Sequence, residues 1–198
     1  QENIAITGKG LLDGSASLET WWGWNNKAER PTKQSVARKK LVEMGEKGVP
    51  VDQRVLGAGS FLRPNFIQPY RCRNVLIEGV TIHNSPMWEV HPVLCTNVIV
   101  RGLTIVSHGS NNDGCDPESC RDVLIENCLF DTGDDCIAIK SGRNNDGRRV
   151  NVPAENKLHF ECPKVGHYGV FNGSRFRSEI APRMAKFMRA HDPCSALA

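Results

Sequence analysis

The 198-residue sequence has no run of about 18 consecutive apolar residues, which excludes a membrane-spanning helix. It shows no basic segment leading into an apolar one, so no secretory leader can be read from it. No two of its eight cysteines form a Cys-x-x-Cys pair, which argues against a zinc ribbon. Aromatic residues make up only 7% and do not interleave with the basic ones, so no stacking platform for nucleic acid is expected. Asn-Gly and Asp-Gly turns are missing between the short apolar strands, which disfavours a sandwich of hairpins. What remains is the composition of an ordinary folded domain, 39% hydrophobic and 24% charged. The chain opens on Gln1, directly before the strand-like Asn3-Ile4-Ala5-Ile6, and reads as a mature or excised piece.

The net charge of +3 conceals a division. Residues 71 to 142 carry 5 basic and 10 acidic side chains, whereas residues 143 to 198 carry 10 basic and 5 acidic ones. Residues 26 to 48 add 7 basic against 3 acidic. These basic stretches read as solvated faces. The cysteines at 72, 95, 115, 120, 128, 136, 162 and 194 suit small buried apolar residues at least as well as disulfides. Cys115 to Cys136 stand near enough in sequence to face one another on neighbouring turns of chain.

What is present is a repeat. Glu2 to Gly8, Arg73 to Gly79, Thr96 to Gly102 and Arg121 to Asn127 each place Asn or Asp ahead of a short strand with apolar residues two apart. A turn residue and a second strand follow, as in Val80-Thr81-Ile82 and Leu103-Thr104-Ile105. Asn74, Asn97 and Asp122 are 23 and 25 residues apart. That period fits one coil of a parallel β-helix, whose stacked coils bury a continuous apolar column. The expected fold is all-β, a right-handed parallel β-helix over residues 1–156, truncated, with a tail at 157–198. Residues 32 to 47 read as a helix inserted between coils, with Val36, Lys40, Leu41 and Met44 on its faces and Gly45 as its stop. Ile180, Met184, Phe187 and Met188 fall at helical spacing, predicting an amphipathic helix in the tail that caps the open end of the stack.

The chemistry concentrates around Asn111-Asn112-Asp113 and Gly133-Asp134-Asp135-Cys136. Asp113 lies 21 residues before Asp134 and 22 before Asp135, close to one coil. Carboxylates one coil apart would project from one face, since stacked strands sit about 4.8 Å apart. Such crowding forces at least one pKa upward and supplies an acid beside a base. The same clustered oxygens suit Ca²⁺, and on spacing alone catalysis and metal binding stand about even.

These two motifs, with Ile139-Lys140-Ser141-Gly142, resemble the polygalacturonases of glycoside hydrolase family 28. Asn112 replaces the family's threonine, as in its bacterial exo-acting branch. Ile4 to Gly14, Trp21-Trp22, Arg63-Pro64 and Ser85-Pro86-Met87-Trp88 read like the same family. The resemblance spans residues 2–156. It implies inverting hydrolysis of α-1,4-galacturonosidic bonds in pectin or oligogalacturonide, in a secreted or periplasmic setting, with no metal, cofactor, nucleic acid or membrane. By motif match Asp134 is the general acid, while Asp113 and Asp135 position and deprotonate the attacking water. His108 and Lys140 are the candidate substrate-binding residues, although a loop histidine and a strand-end lysine are more often structural.

The Gly-His-Gly and Arg-Ile-Lys motifs of that family are missing, which implies weak or no turnover. The alternative reading is a non-catalytic β-helix that binds polyuronide. From Lys157 onward, Val165-Gly166-His167-Tyr168-Gly169 and its surroundings resemble the end of intracellular polyhydroxyalkanoate depolymerases, with His167 at the position of their catalytic histidine. No Gly-x-Ser-x-Gly elbow accompanies it, so this tail reads as a fused relic without esterase activity.

Overall fold

A computed structural model describes residues 1–25, 34–154, 178 and 180–190, with side chains in the tail helix described as far as residue 186. The chain divides into two compact units, Gln1–Glu155 and Asn156–Ala198. In the first, eight strands run as β1 (Glu2–Thr7), β2 (Leu11–Asp13), β3 (Arg73–Glu78), β4 (Thr81–His83), β5 (Thr96–Arg101), β6 (Thr104–Ser107), β7 (Arg121–Glu126) and β8 (Leu129–Thr132). They build two four-stranded sheets, β1-β3-β5-β7 and β2-β4-β6-β8, in which every pairing is parallel. A third face consists of parallel bridges that link Ile67, Val90, Cys115 and Ile137, and again Tyr70, Val93, Glu118 and Lys140. Three parallel faces visited in the same order on each coil make a parallel β-helix.

The repeat explains the register. Val75 pairs with Val98 and Val98 with Val123, while Ile82 stacks on Ile105 and Ile105 on Phe130. Because alternate side chains point to opposite faces, the apolar residues two apart all turn inward. Val98, Val100 and Ile105 have no exposed surface, and Val75, Ile77 and Leu103 are buried with them. The residue ahead of each long strand explains why Asn recurs there. Asn3, Asn74, Asn97 and Asp122 all take left-handed backbone, with φ between 55° and 57° for the last three. Asn tolerates that conformation better than other residues that carry a Cβ. The amides form a ladder, Asn97 Nδ2 donating to Asn74 Oδ1 at 2.9 Å and Asn74 Nδ2 to Asn3 Oδ1 at 2.8 Å. We expect Asn74→Ala to lower stability by about 1–2 kcal/mol, through backbone strain and two lost bonds, in urea unfolding. An unchanged midpoint would show that the ladder is ornamental.

A second ladder uses sulfur. Cys72, Cys95 and Cys120 stack on successive coils, with the backbone N–H of Cys72 and of Cys95 each directed at the next sulfur at 3.4 Å. All six described cysteines are free thiols. Burial pushes the Cys120 thiol up to about 11, so it stays protonated and inert. Cys115 is buried and Cys136 exposed. The ladder joins Cys120 to Cys72 and Cys95, while Cys115 and Cys136 lie on adjacent rungs, the Cys115 N–H donating to the Cys136 carbonyl at 3.0 Å.

The long excursion between β2 and β3 contains α1 (Gln34–Glu46). The expected stop, Gly45, lies inside this helix and is buried, because Asp146 packs where its Cβ would stand. The turn out of α1 falls instead at Gly48, where φ is +71°. A further helix, α2 (Asn144–Val150), has no counterpart in the sequence reading. Its residues show no apolar periodicity, and it is held by polar contacts. Arg54 makes a bidentate pair with Asp146 at 2.7 and 3.0 Å, and Arg149 donates to the Gly45 carbonyl at 2.6 Å. In the second unit α3 (Ala181–Ala190) matches the expected tail helix, with Ile180 buried and Met184 half exposed. His167, Cys162, Cys194 and most of the tail, on which the depolymerase resemblance and the expected cap rest, lie outside the described residues.

Candidate active site

Asp113 stands two residues before Cys115 on the third face, and Asp135 two residues before its bridge partner Ile137. The bond from Gly114 N–H to the Asp135 carbonyl, 2.9 Å, ties the two motifs together as adjacent rungs. Close backbone approach makes this possible. A Cβ at Gly133 would fall 2.4 Å from the Gly109 carbonyl oxygen, so only glycine lets the Asp134 loop settle on the coil below.

Asn112 shows why the first motif is rigid. Fully buried, it accepts from Ser107 Oγ and from Gly109 N–H, both at 2.7 Å. Its amide donates to the carbonyls of Ser85 at 3.1 Å and Met87 at 2.9 Å. A side chain with both donor and acceptor is required to close that set, and it presents the following Asp113 in a single orientation.

Asp113 is only 4% exposed, and Asp116, three residues on, is fully buried. The Lys140 ammonium lies 3.3 Å from one carboxylate oxygen of each. It also sits 4.3 Å above the Trp88 ring, whose edge meets His91 at a centroid distance of 4.7 Å. His91 in turn contacts Glu118 at 3.1 Å. Lys140 thus bridges two buried carboxylates. Among the described residues, no three His, Cys, Asp or Glu side chains are arranged to hold a metal ion.

Burial, more than mutual repulsion, sets the acidities. It raises Asp116 to about 8, with Asp113 adding to the shift and Lys140 opposing it. Asp113 is also raised, first by burial and then by the nearby Asp134, against the pull of Lys140. Glu89 is fully buried and is pushed up to about 8 by desolvation, with a smaller contribution from Asp113. The neighbouring Ser107 and Ser85 hydroxyls pull it down only in part, because they also donate to Asn112 Oδ1 and Met87 O. Crowding of like charges, expected from the spacing, contributes to these shifts, but the larger cause is loss of water.

Of the residues expected at the site, Asp113, Asp134 and Lys140 come together. Asp135 is exposed on the rung beside Asp113, and its N–H donates to Asp134 Oδ1 at 3.1 Å. His108 is exposed and paired with Asp131 at 2.8 Å. Glu89, His91 and Asp116 are not site candidates on the sequence alone, and Trp88 enters there only through its family-like stretch. One signal was available: Trp88-Glu89 stands one coil below the Asp113 motif, since Val90 pairs with Cys115.

The family model for Glycosyl hydrolases family 28 matches residues 58–160, just over half of the chain. The chain belongs to this family. A probable polygalacturonase of Vitis vinifera is 37% identical over 101 residues, covering 50% of this chain and 21% of that protein. An exo-poly-alpha-D-galacturonosidase of Dickeya chrysanthemi is 24% identical over 93% of this chain and 32% of its own length. Among solved structures, a hyperthermoactive exopolygalacturonase from Thermotoga maritima superimposes with a TM-score of 0.75 at 60% identity, over 77% of this chain and 35% of that one. The family 28 chain described here therefore spans about a fifth to a third of these relatives' lengths.

Proposed function

We propose that this family 28 chain is a glycoside hydrolase acting on galacturonan, cleaving α-1,4-galacturonosidic bonds with inversion. The observation that carries the reading is the juxtaposition of buried Asp113, salt-bridged to Lys140, with Asp134 on the adjacent rung and close enough to raise its pKa. Names of the relatives supply the substrate class, and membership of family 28 suggests a secreted or periplasmic protein.

In this mechanism Asp134 is the general acid. As the C1–O bond breaks, its proton passes to the leaving glycosidic oxygen. Water attacks C1 from the opposite face, and its proton goes to Asp113 or Asp135, which hold it in line. Inverting enzymes separate acid and base by about 6.5–9.5 Å to admit that water. Lys140 holds Asp113 in its ionised form, able to accept the proton, against the burial that would neutralise it. His108, exposed beside the Gly133 loop, is the candidate for contact with a sugar hydroxyl.

The test is reducing-end release from polygalacturonic acid, with the first-formed anomer read by proton NMR. Inversion of an α-linkage should yield the β-anomer first. Initial α-anomer would sink the inverting assignment. No release from a folded chain would favour the second reading, a β-helix that binds polyuronide without cleaving it.

A further inference from the structure

Beside the carboxylates runs a groove of about 510 Å³, between α1, α2 and the third face of the β-helix. That volume suits a small ligand. The groove shares Trp88 and Asn111 with the surroundings of Asp113, but it does not contain the three aspartates. Its cations are Arg38 on α1, Arg63 on the coil beneath and Arg143 at the start of α2.

Arg63 is the anomaly. Its side chain is 5% exposed, and it donates to the carbonyls of Pro86 at 3.0 Å and Ser110 at 2.7 Å, and to Asn111 Oδ1 at 2.8 Å. All three acceptors are neutral, and its Nε has no partner. Among the described residues no carboxylate pairs with it, nor with Arg38 or Arg143. Burial and the neighbouring Arg38 lower Arg63 to about 10. A buried cation is costly unless it is paired, and a second cation nearby adds to the cost.

The groove's own acids do not compensate. Asp146 is engaged by Arg54 and Arg149, Glu118 by His91, and Glu46 by Asn145. Arg63 therefore has its hydrogen bonds largely met but its charge unmet, and an anion entering the groove would supply the missing partner.

We propose that this groove is a carboxylate subsite, with Arg63 as its floor and Arg38 and Arg143 at its mouth, and that it takes the carboxylate of one galacturonate residue of the polysaccharide. The proposal rests on the galacturonan reading above and places one sugar carboxylate beside, rather than over, the aspartates. A planar guanidinium matches a carboxylate bidentately, which separates a uronate from the corresponding neutral sugar.

The test is binding of free galacturonic acid to the full chain, followed by NMR titration, with galactose as the neutral control. Arg38→Gln with Arg143→Gln changes two exposed side chains and should weaken binding at least about fivefold. Arg63→Gln should weaken it about tenfold, and circular dichroism checks that it folds. Galactose should bind far more weakly than galacturonic acid. Equal binding by the Arg38/Arg143 double variant and wild type, equal binding of galactose, or no binding of galacturonic acid to folded wild type would each overturn the subsite. Because the readout is binding, the two readings separate. Arginine-dependent binding without reducing-end release leaves the subsite standing and removes the hydrolase. Hydrolysis with arginine-independent binding does the reverse.

Discussion

An Asp134→Asn variant should release reducing ends from polygalacturonate about 10²–10⁴-fold more slowly than wild type, the range lost with a general acid. Its melting temperature should not change. Asp134 is exposed, and the one side-chain bond it accepts, from Asp135 N–H at 3.1 Å, goes to an oxygen that asparagine retains. Geometry survives and the proton donor is lost. A second signature distinguishes this role from a structural one. Because Asp134 helps to hold the Asp113 carboxyl up, removing its charge should lower Asp113 and move the acidic limb of the residual pH profile to lower pH. A variant within twofold of wild type would remove Asp134 from the mechanism.

Glu89→Gln should make the protein more stable at neutral pH, an unusual expectation for a substitution beside an active site. Glu89 titrates near 8 in the folded chain against 4.5 when free. Between those values the unfolded chain has lost the proton while the folded chain keeps it. Stability is therefore complete below pH 4.5, falls as pH rises toward 8, and is level above that. At about 1.4 kcal/mol per pH unit, the loss by pH 7 is on the order of 3 kcal/mol. Glutamine is neutral throughout and close in size to the protonated acid. Urea unfolding at pH 5 and pH 8 should show a smaller decline in the variant than in wild type. Some decline should remain, because Asp116, also raised to about 8, contributes with the same sign. Identical slopes in the two proteins would mean that Glu89 is not protonated in the fold.

Much of the architecture was legible because a β-helix repeats a local pattern. The spacing of Asn74, Asn97 and Asp122 and the apolar alternation after each could be read residue by residue. The structure assigns to those positions a left-handed backbone and a buried column. The rungs also carried Asp113, Asp134 and Asp135 at nearly one coil, so their proximity followed from counting. The third face was harder to see, since it consists of single bridges such as Val93 to Glu118 rather than runs of strand. Helix α2 was invisible for a different reason. Asn144-Asn145-Asp146-Gly147 carries turn chemistry, and the partner that makes it helical, Arg54, lies 92 residues away.

The β-helix, its period, the family and the acidic motifs were all written in the chain, because each depends on residue type at fixed local spacing. Folding settles which of those acids are dry, and leaves Glu89 and Arg63 buried without a counter-ion while Lys140 serves two aspartates at once. Protonation and charge depend on how much water reaches a group and on what faces it. Both are set by side chains arriving from other coils and from α1 and α2, which no local pattern records.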